Sequence, residues 1–251
     1  MTAADILLLV TAGLLGGAVN AVAGGGSLIV FPALLATGFG TVAANVTNSV
    51  AQWPGYLGSV LGFGAELKGQ RQRLLALTLS AVLGGTAGCV LLLTTPAEAF
   101  DAVVPVLVLL ASLLLAVQPL IAKWIAPPEE GGSAKRFPLY IAIFFSSIYG
   151  GYFGGALGVI LIGVLALTVK DSLRRLNALK SALSLVVATV TVVAFGIYGP
   201  VDWLAVAVIA PSTLIGGFVG AKVARRLNDT VLRICVVVFG VGVAVYLFST
   251  S

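Results

Sequence analysis

AVAGGGSLIVFP, residues 21–32, is the stretch on which the fold turns. It lies inside a run that is otherwise apolar from residue 6 to residue 37. That run is longer than the ~20 residues that cross a bilayer once. A glycine inside a helix costs about 1 kcal/mol relative to alanine. Three in a row, Gly24, Gly25 and Gly26, therefore predict a helix that stops and restarts. Within a membrane, irregular backbone is tolerated only where protein or a watery cavity satisfies it. A helix restarting near Ser27 points orphan N–H donors and the positive end of its dipole at the break. Such an end suits an anion. The bland alternative is that the glycines only let helices approach closely.

Outward from this break, apolar segments cover 6–37, 44–63, 74–95, 99–122, 138–169, 176–199, 201–221 and 231–249. A second broken run, YGGYFGGALGVI at 149–160, lies in the fifth segment. The hydrophilic stretch KWIAPPEEGGSAKRF, 123–137, reads as a cytoplasmic linker because Pro and Gly end helices. It separates a first membrane repeat, 1–122, from a second, 138–251, within one integral membrane domain.

Composition agrees. The 251 residues include 14 Lys and Arg and 9 Asp and Glu, 59% are hydrophobic, and mean hydropathy is +1.13. Charged residues make up 9%, against about 25% in a soluble domain. That excludes a cytosolic enzyme and a disordered chain. A net charge of +5 carried by so few residues is no nucleic-acid surface. The expected surroundings are the lipid bilayer. With no histidine, imidazole catalysis, His-ligated metals and His proton relays are absent. No metal, cofactor or catalytic residue is expected. Cys89 and Cys235 lie in separate apolar runs and read as buried thiols.

The halves resemble each other at a shift of 132 residues. Gly26 falls on Gly158, Asn45 on Asn177, Ser49 on Ser181, and Gly84-Gly85-x-x-Gly88 on Gly216-Gly217-x-x-Gly220. If each segment crossed once, the basic residues would divide between both sides. If segments 1 and 5 each return to the side they entered from, all 14 fall on one face. Positive-inside makes that face cytoplasmic and both termini periplasmic. The expectation is an all-α polytopic membrane protein of two inverted four-segment repeats, each with a glycine-broken first segment. That is a transporter layout. The GxxxG pairs at 84–88 and 216–220 read as packing surfaces.

Polar groups inside apolar helices mark the candidate site. Asn20 precedes the first break, and Gly24, Gly25, Gly26 and Ser27 form it. Asn45, Thr47, Asn48, Ser49 and Gln52 open the second segment. In the second half stand Gly154, Gly155, Gly158, Asn177, Lys180 and Ser181. Amides and hydroxyls there either cap helices or line an anion site. Lys180 either snorkels to the interface or supplies the charge that selects an anion. Pro54 predicts a kink in the second segment. Carboxylates lie at segment ends, so a carboxylate proton relay has no obvious carrier.

At these residues the chain resembles the TauE/SafE family of sulfite and organic-anion exporters. The resemblance rests on GGAVNAVAGGGSLIVFPALLATG (16–38), ANVTNS (44–49), YGGYFGGALGVILIGVLAL (149–167), RRLNALKSALSL (174–185) and GGFVGAKVARRL (216–227). It implies a bacterial inner-membrane transporter with two related halves and a small anionic substrate such as sulfite or sulfoacetate. By motif, Gly24, Gly25, Gly26, Thr47 and Asn48 match the first half's signature, and Asn177 and Lys180 the second's. Where the most similar branch carries a Lys after its Thr-Asn pair, this chain has Ser49. Only one half then offers a buried cation. An anion channel stays open as an alternative to an exporter, as does a homo-oligomer.

Overall fold

The computed structural model describes residues 1–124, 136–224 and 229–250. Most of the expected linker and the basic residues Lys135, Arg225 and Arg226 lie outside the described residues. Described residues are helical, without strands. In order they form α1 (Ala3–Val22), α2 (Ser27–Ala36), α3 (Thr41–Ala51), α4 (Trp53–Gly62), α5 (Gly64–Leu67) and α6 (Arg71–Thr94). There follow α7 (Ala97–Trp124), α8 (Arg136–Tyr152), α9 (Leu157–Thr168), α10 (Leu173–Tyr198), α11 (Trp203–Val223) and α12 (Asp229–Thr250). Helix ends take residues 123, 124, 136 and 137, which the sequence placed in the linker.

Among the described residues, α1, α6, α7, α10 and α11 are long and apolar enough to cross a membrane. Their outer faces are unmistakably lipophilic. Leu7, Leu79 and Ile197 are each about two-thirds exposed, a surface a soluble protein would not tolerate over this extent. The chain is an all-helical, polytopic integral membrane protein. Cys89 is buried as expected, but Cys235 is exposed on α12. An apolar run in a membrane protein faces lipid as readily as the core, so the run alone did not decide burial.

Both glycine-broken runs end one helix and begin another. The first break separates α1 from α2, and the second separates α8 from α9. Gly24 and Gly154 have φ of 89° and 76°, the left-handed region open to glycine. α2 doubles back along α1, with Val30 against Gly16 and Gly26 against Asn20. At 1.5 Å per residue, its 10 residues reach about 15 Å, half of a bilayer core.

Helix starts at 41, 71 and 97 recur 132 residues on, at 173, 203 and 229. The partner choice is crossed between halves. α1 packs on α11 through glycines: Gly13 faces Ser212, Gly17 faces Thr213 and Gly217, and Gly220 faces Ala18. α6 packs on α8 likewise, Gly84 against Phe144 and Ser147, Gly88 against Ile148 and Gly151. Numbers rise together in both pairs, so each pair is parallel. The GxxxG motifs are packing surfaces, as their lack of polar neighbours predicted.

One end of the bundle brings the α5–α6 connection onto the α9–α10 connection. Arg73 and Arg175 both reach Asp171 at 2.9 Å. Gln70 Nε2 donates to the Arg175 carbonyl and Arg175 to the Lys68 carbonyl. Eight single crossings would put these two connections on opposite faces. The opposite end gathers Gly40, Thr41, Thr95, Asp101, Tyr198 and Pro200 around a cleft of about 440 Å³. There the Thr41 hydroxyl bonds Asp101 and the Asp202 amide donates to Thr47 Oγ1. Since α6 leaves the basic end and α11 the acidic end, α8 and α1 run in opposite directions.

Candidate functional site

The two breaks touch. A Cβ on Gly24 would sit 2.6 Å from the Gly158 carbonyl carbon, so their backbones are in direct contact. Phe31 of α2 stacks edge-on against Phe153 of the second break at 5.5 Å. Any larger residue at Gly24 or Gly158 would separate the halves here.

Beside this contact lies a cavity of about 20 Å³, room for roughly one water. Ser27 lines it at the start of α2, Ser49 and Gln52 at the end of α3, and Tyr56 from α4. Gly150, Gly154 and Leu157 contribute from the second break, and Ser184, Val187, Ala188 and Thr191 from α10. The α10 residues are near the middle of that 26-residue helix. No carboxylate and no cation lines the cavity among the described residues.

Local sequence explains how Gln52 arrives there. Pro54 has no N–H, so the ladder is interrupted and α3 gives way to α4 at Gln52. The Asn20 side chain then holds it: Nδ2 donates to Gln52 Oε1 at 2.9 Å. Asn20 Oδ1 accepts from the Gly26 amide at 2.8 Å, which pins the glycine break. Gln52 Nε2 and Ser184 Oγ are buried without a protein partner, and both residues line the cavity. An unpaired buried polar group costs about 1–3 kcal/mol, so two such groups on residues that line one cavity make it the candidate site.

Of the residues singled out from sequence, Ser27, Ser49, Gln52 and Gly154 line the cavity. Asn20 meets two lining residues, Gln52 and the Tyr56 hydroxyl. Gly24 and Gly158 form the contact between breaks, and Gly25 packs toward Leu115. Gly155 packs on the Phe153 ring. Asn45 Nδ2 donates to the Tyr152 carbonyl at 2.9 Å. Lys180 Nζ donates to the Asn20 and Ala21 carbonyls at 3.1 and 3.2 Å, capping the end of α1. Thr47 holds the Asp202 amide at the acidic end. Asn48 is buried with Oδ1 unpartnered. The Asn177 carbonyl accepts from Ser181 Oγ, a bond within α10.

Tyr56, Ser184 and Thr191 were missed. A signal for Ser184 was present, because the 132-residue shift carries Gln52 onto it. The same shift carries Tyr56 onto Ala188, another lining residue.

The profile described as Sulfite exporter TauE/SafE matches residues 9–247. The chain belongs to the TauE/SafE family. It is similar to a probable membrane transporter protein of Haemophilus influenzae, 24% identical over 241 residues, covering 93% of this chain and 91% of the relative. It is also similar to the probable membrane transporter protein YfcA of Escherichia coli K12, 26% identical over 228 residues, covering 85% of this chain and 77% of the relative. This TauE/SafE protein is therefore a membrane transporter, which points away from an enzyme.

Proposed function

We propose that this TauE/SafE protein exports a small oxyanion, sulfite or an organosulfonate, by alternating access. The observation that carries this reading is a pair of buried, unpartnered groups, Gln52 Nε2 and Ser184 Oγ, on two residues that line one cavity beside the start of α2. An amide N–H and a hydroxyl suit oxygen acceptors, and the dipole of α2 favours negative charge. The cavity holds no carboxylate that would repel an anion. Its water-sized volume describes a closed state, so a substrate enters only when one end opens.

The mechanism rests on two inverted repeats, residues 1–122 and 138–251. The recurrence of helix starts and the opposite courses of α1 and α8 support that relation. Gln52 and Ser184 then stand at equivalent positions, one from each half, with the ligand between them. Rocking one helix bundle against the other about the Gly24–Gly158 contact exposes the cavity first at one end and then at the other. Positive-inside places the basic end in the cytoplasm of a bacterial inner membrane, with both termini periplasmic. Expelling one negative charge from a negative interior then gains about 2.3 kcal/mol per 100 mV. Neither a metal nor a cofactor enters this cycle.

The test is radiolabelled sulfite flux into proteoliposomes. Saturable uptake accelerated by sulfite inside the vesicles supports the exporter. Flux that neither saturates nor responds to sulfite on the far side makes the protein a channel. Flux unchanged by Gln52→Leu together with Ser184→Ala would remove this cavity from the route.

A further inference from the structure

A chain of hydrogen bonds with only one permitted direction runs from the first glycine break to Gln52, a residue that lines the cavity. It begins at the Gly26 amide, a backbone N–H that can only donate. Its acceptor is Asn20 Oδ1 at 2.8 Å. That bond decides which way the Asn20 amide faces, because oxygen must meet the N–H. Nδ2 is then the free end of Asn20, and it donates to Gln52 Oε1 at 2.9 Å. Gln52 is decided in turn. Its oxygen is occupied by Asn20, and Nε2, without a protein partner, is the end left to donate. Amide oxygen and nitrogen are ordinarily assigned from their network; here the network is anchored on a backbone amide whose role is not in question. Asn20 is 3% exposed and Gln52 1%, so water does not offer either a ready substitute.

We propose that Asn20 is a positioning residue that gives the cavity its donor polarity. Through Gln52 it presents N–H rather than C=O to the ligand, and so selects a hydrogen-bond acceptor, an oxyanion, over a cation. The inference rests on the reading that this cavity is the substrate site. Ser184 does not settle the matter alone, since a hydroxyl turns to donate or accept. Gln52 turned the other way would set Nε2 against Asn20 Nδ2, two donors face to face. Asn20 thus controls selectivity without touching the ligand.

The test is a double-mutant cycle on sulfite affinity, measured with the purified full chain in detergent. Asn20→Leu removes the relay without adding charge, and leaves the Asn20 carbonyl that Lys180 bonds. Sulfite Kd is expected to rise about tenfold in wild-type background. In a Gln52→Leu, Tyr56→Phe background, which also removes the lining hydroxyl that Asn20 meets, the same Asn20 substitution is expected to change Kd less than twofold, because its paths to the ligand are already cut. A residue that merely supports the fold would add its effect in both backgrounds, and that additivity overturns the proposal. So does an Asn20→Leu protein with wild-type affinity. Should Asn20→Leu not fold, Asn20→Asp keeps the shape: its second oxygen now accepts from Gln52 Nε2 and turns Oε1 to the cavity. Sulfite binding is then expected to vanish and methylammonium binding to appear, and retained sulfite affinity overturns the proposal. A wild-type protein that binds neither sulfite, sulfate nor an organosulfonate sinks the transport reading and this inference together. Wild-type binding with an indifferent Asn20 sinks the inference alone.

Discussion

Lys180 is 1% exposed, and it neither snorkels nor lines the cavity. Its ammonium meets the Asn20 and Ala21 carbonyls at the end of α1, a helix whose last turn has no basic residue of its own. A cation there satisfies orphan carbonyls and complements the negative end of the dipole. The end of α8 is served in the same way: Asn45 donates to the Tyr152 carbonyl, and Tyr152 stands 132 residues after Asn20. Each broken helix is thus capped by a side chain from the other half of the chain. Lys180→Met keeps the length and removes the donors. Ligand-free stability is expected to fall by about 1–3 kcal/mol, read as a lower thermal midpoint in detergent. An unchanged ligand-free midpoint with lost sulfite affinity would instead make Lys180 a direct ligand. The sequence flagged both donors because polar groups are rare in apolar helices. Their acceptors were not legible, since a backbone carbonyl 160 residues away carries no side-chain signature.

At the scale of elements, glycine spacing and run length carried most of the fold. The two breaks, the packing surfaces and the kink at Pro54 all follow from backbone chemistry, which acts locally. Helix limits followed less well: α3 starts at Thr41, three residues before the apolar run, because Thr41 is polar yet bonded to Asp101 across the acidic end. The cavity was half legible for the same reason. Ser27, Ser49 and Gln52 sit beside breaks, whereas Ser184 and Thr191 sit mid-helix, where only tertiary packing distinguishes them from ordinary helix hydroxyls. The glycines give a prediction with an internal control. A Cβ on Gly217 would lie 2.1 Å from the Gly55 carbonyl oxygen, rigid backbone that cannot turn aside. Gly217→Ala is expected to destabilise by about 1–3 kcal/mol as α11 is forced off α4. A Cβ on Gly163 meets nothing within 4 Å. Gly163→Ala is expected to be neutral or to stabilise by about 0.4–1 kcal/mol through the unfolded chain. Thermal unfolding of the two proteins side by side checks both, and equal midpoints would contradict the packing argument.

Over the whole molecule, charge sorts the two ends. Single cysteines at Gly69 and Ser172 are expected to react with an impermeant maleimide from one side of sealed vesicles, and cysteines at Gly40 and Pro200 from the other. Labelling of Gly69 and Ser172 from opposite sides would break the topology. At the basic end Asp171 is held between Arg73 and Arg175, a clamp that ties the α5–α6 connection to the α9–α10 connection, and the exporter reading expects it to close that end. Burial pushes the Asp171 carboxyl up, but bonds from Arg73, Arg175 and the Ser172 amide outweigh it and hold the group below the usual carboxylate range. A carboxylate lowered in the closed state stabilises closure above its free pKa of about 3.9, and loses that contribution only as pH falls through the lower closed-state value. Closure through Asp171 should therefore be indifferent to pH between 6 and 8, and the chain has no histidine to titrate there. Both arginines are more than a third exposed, so the clamp is worth about 0.2–1 kcal/mol, a population factor of roughly 1.5–5. Asp171→Asn is expected to raise by that factor the rate at which maleimide from the basic end reaches a cysteine at Ser49, in a background lacking Cys89 and Cys235. A rate that does not change with Asp171→Asn removes the clamp from the closing of this end. A wild-type rate that climbs between pH 8 and pH 6 assigns closure to a group other than Asp171.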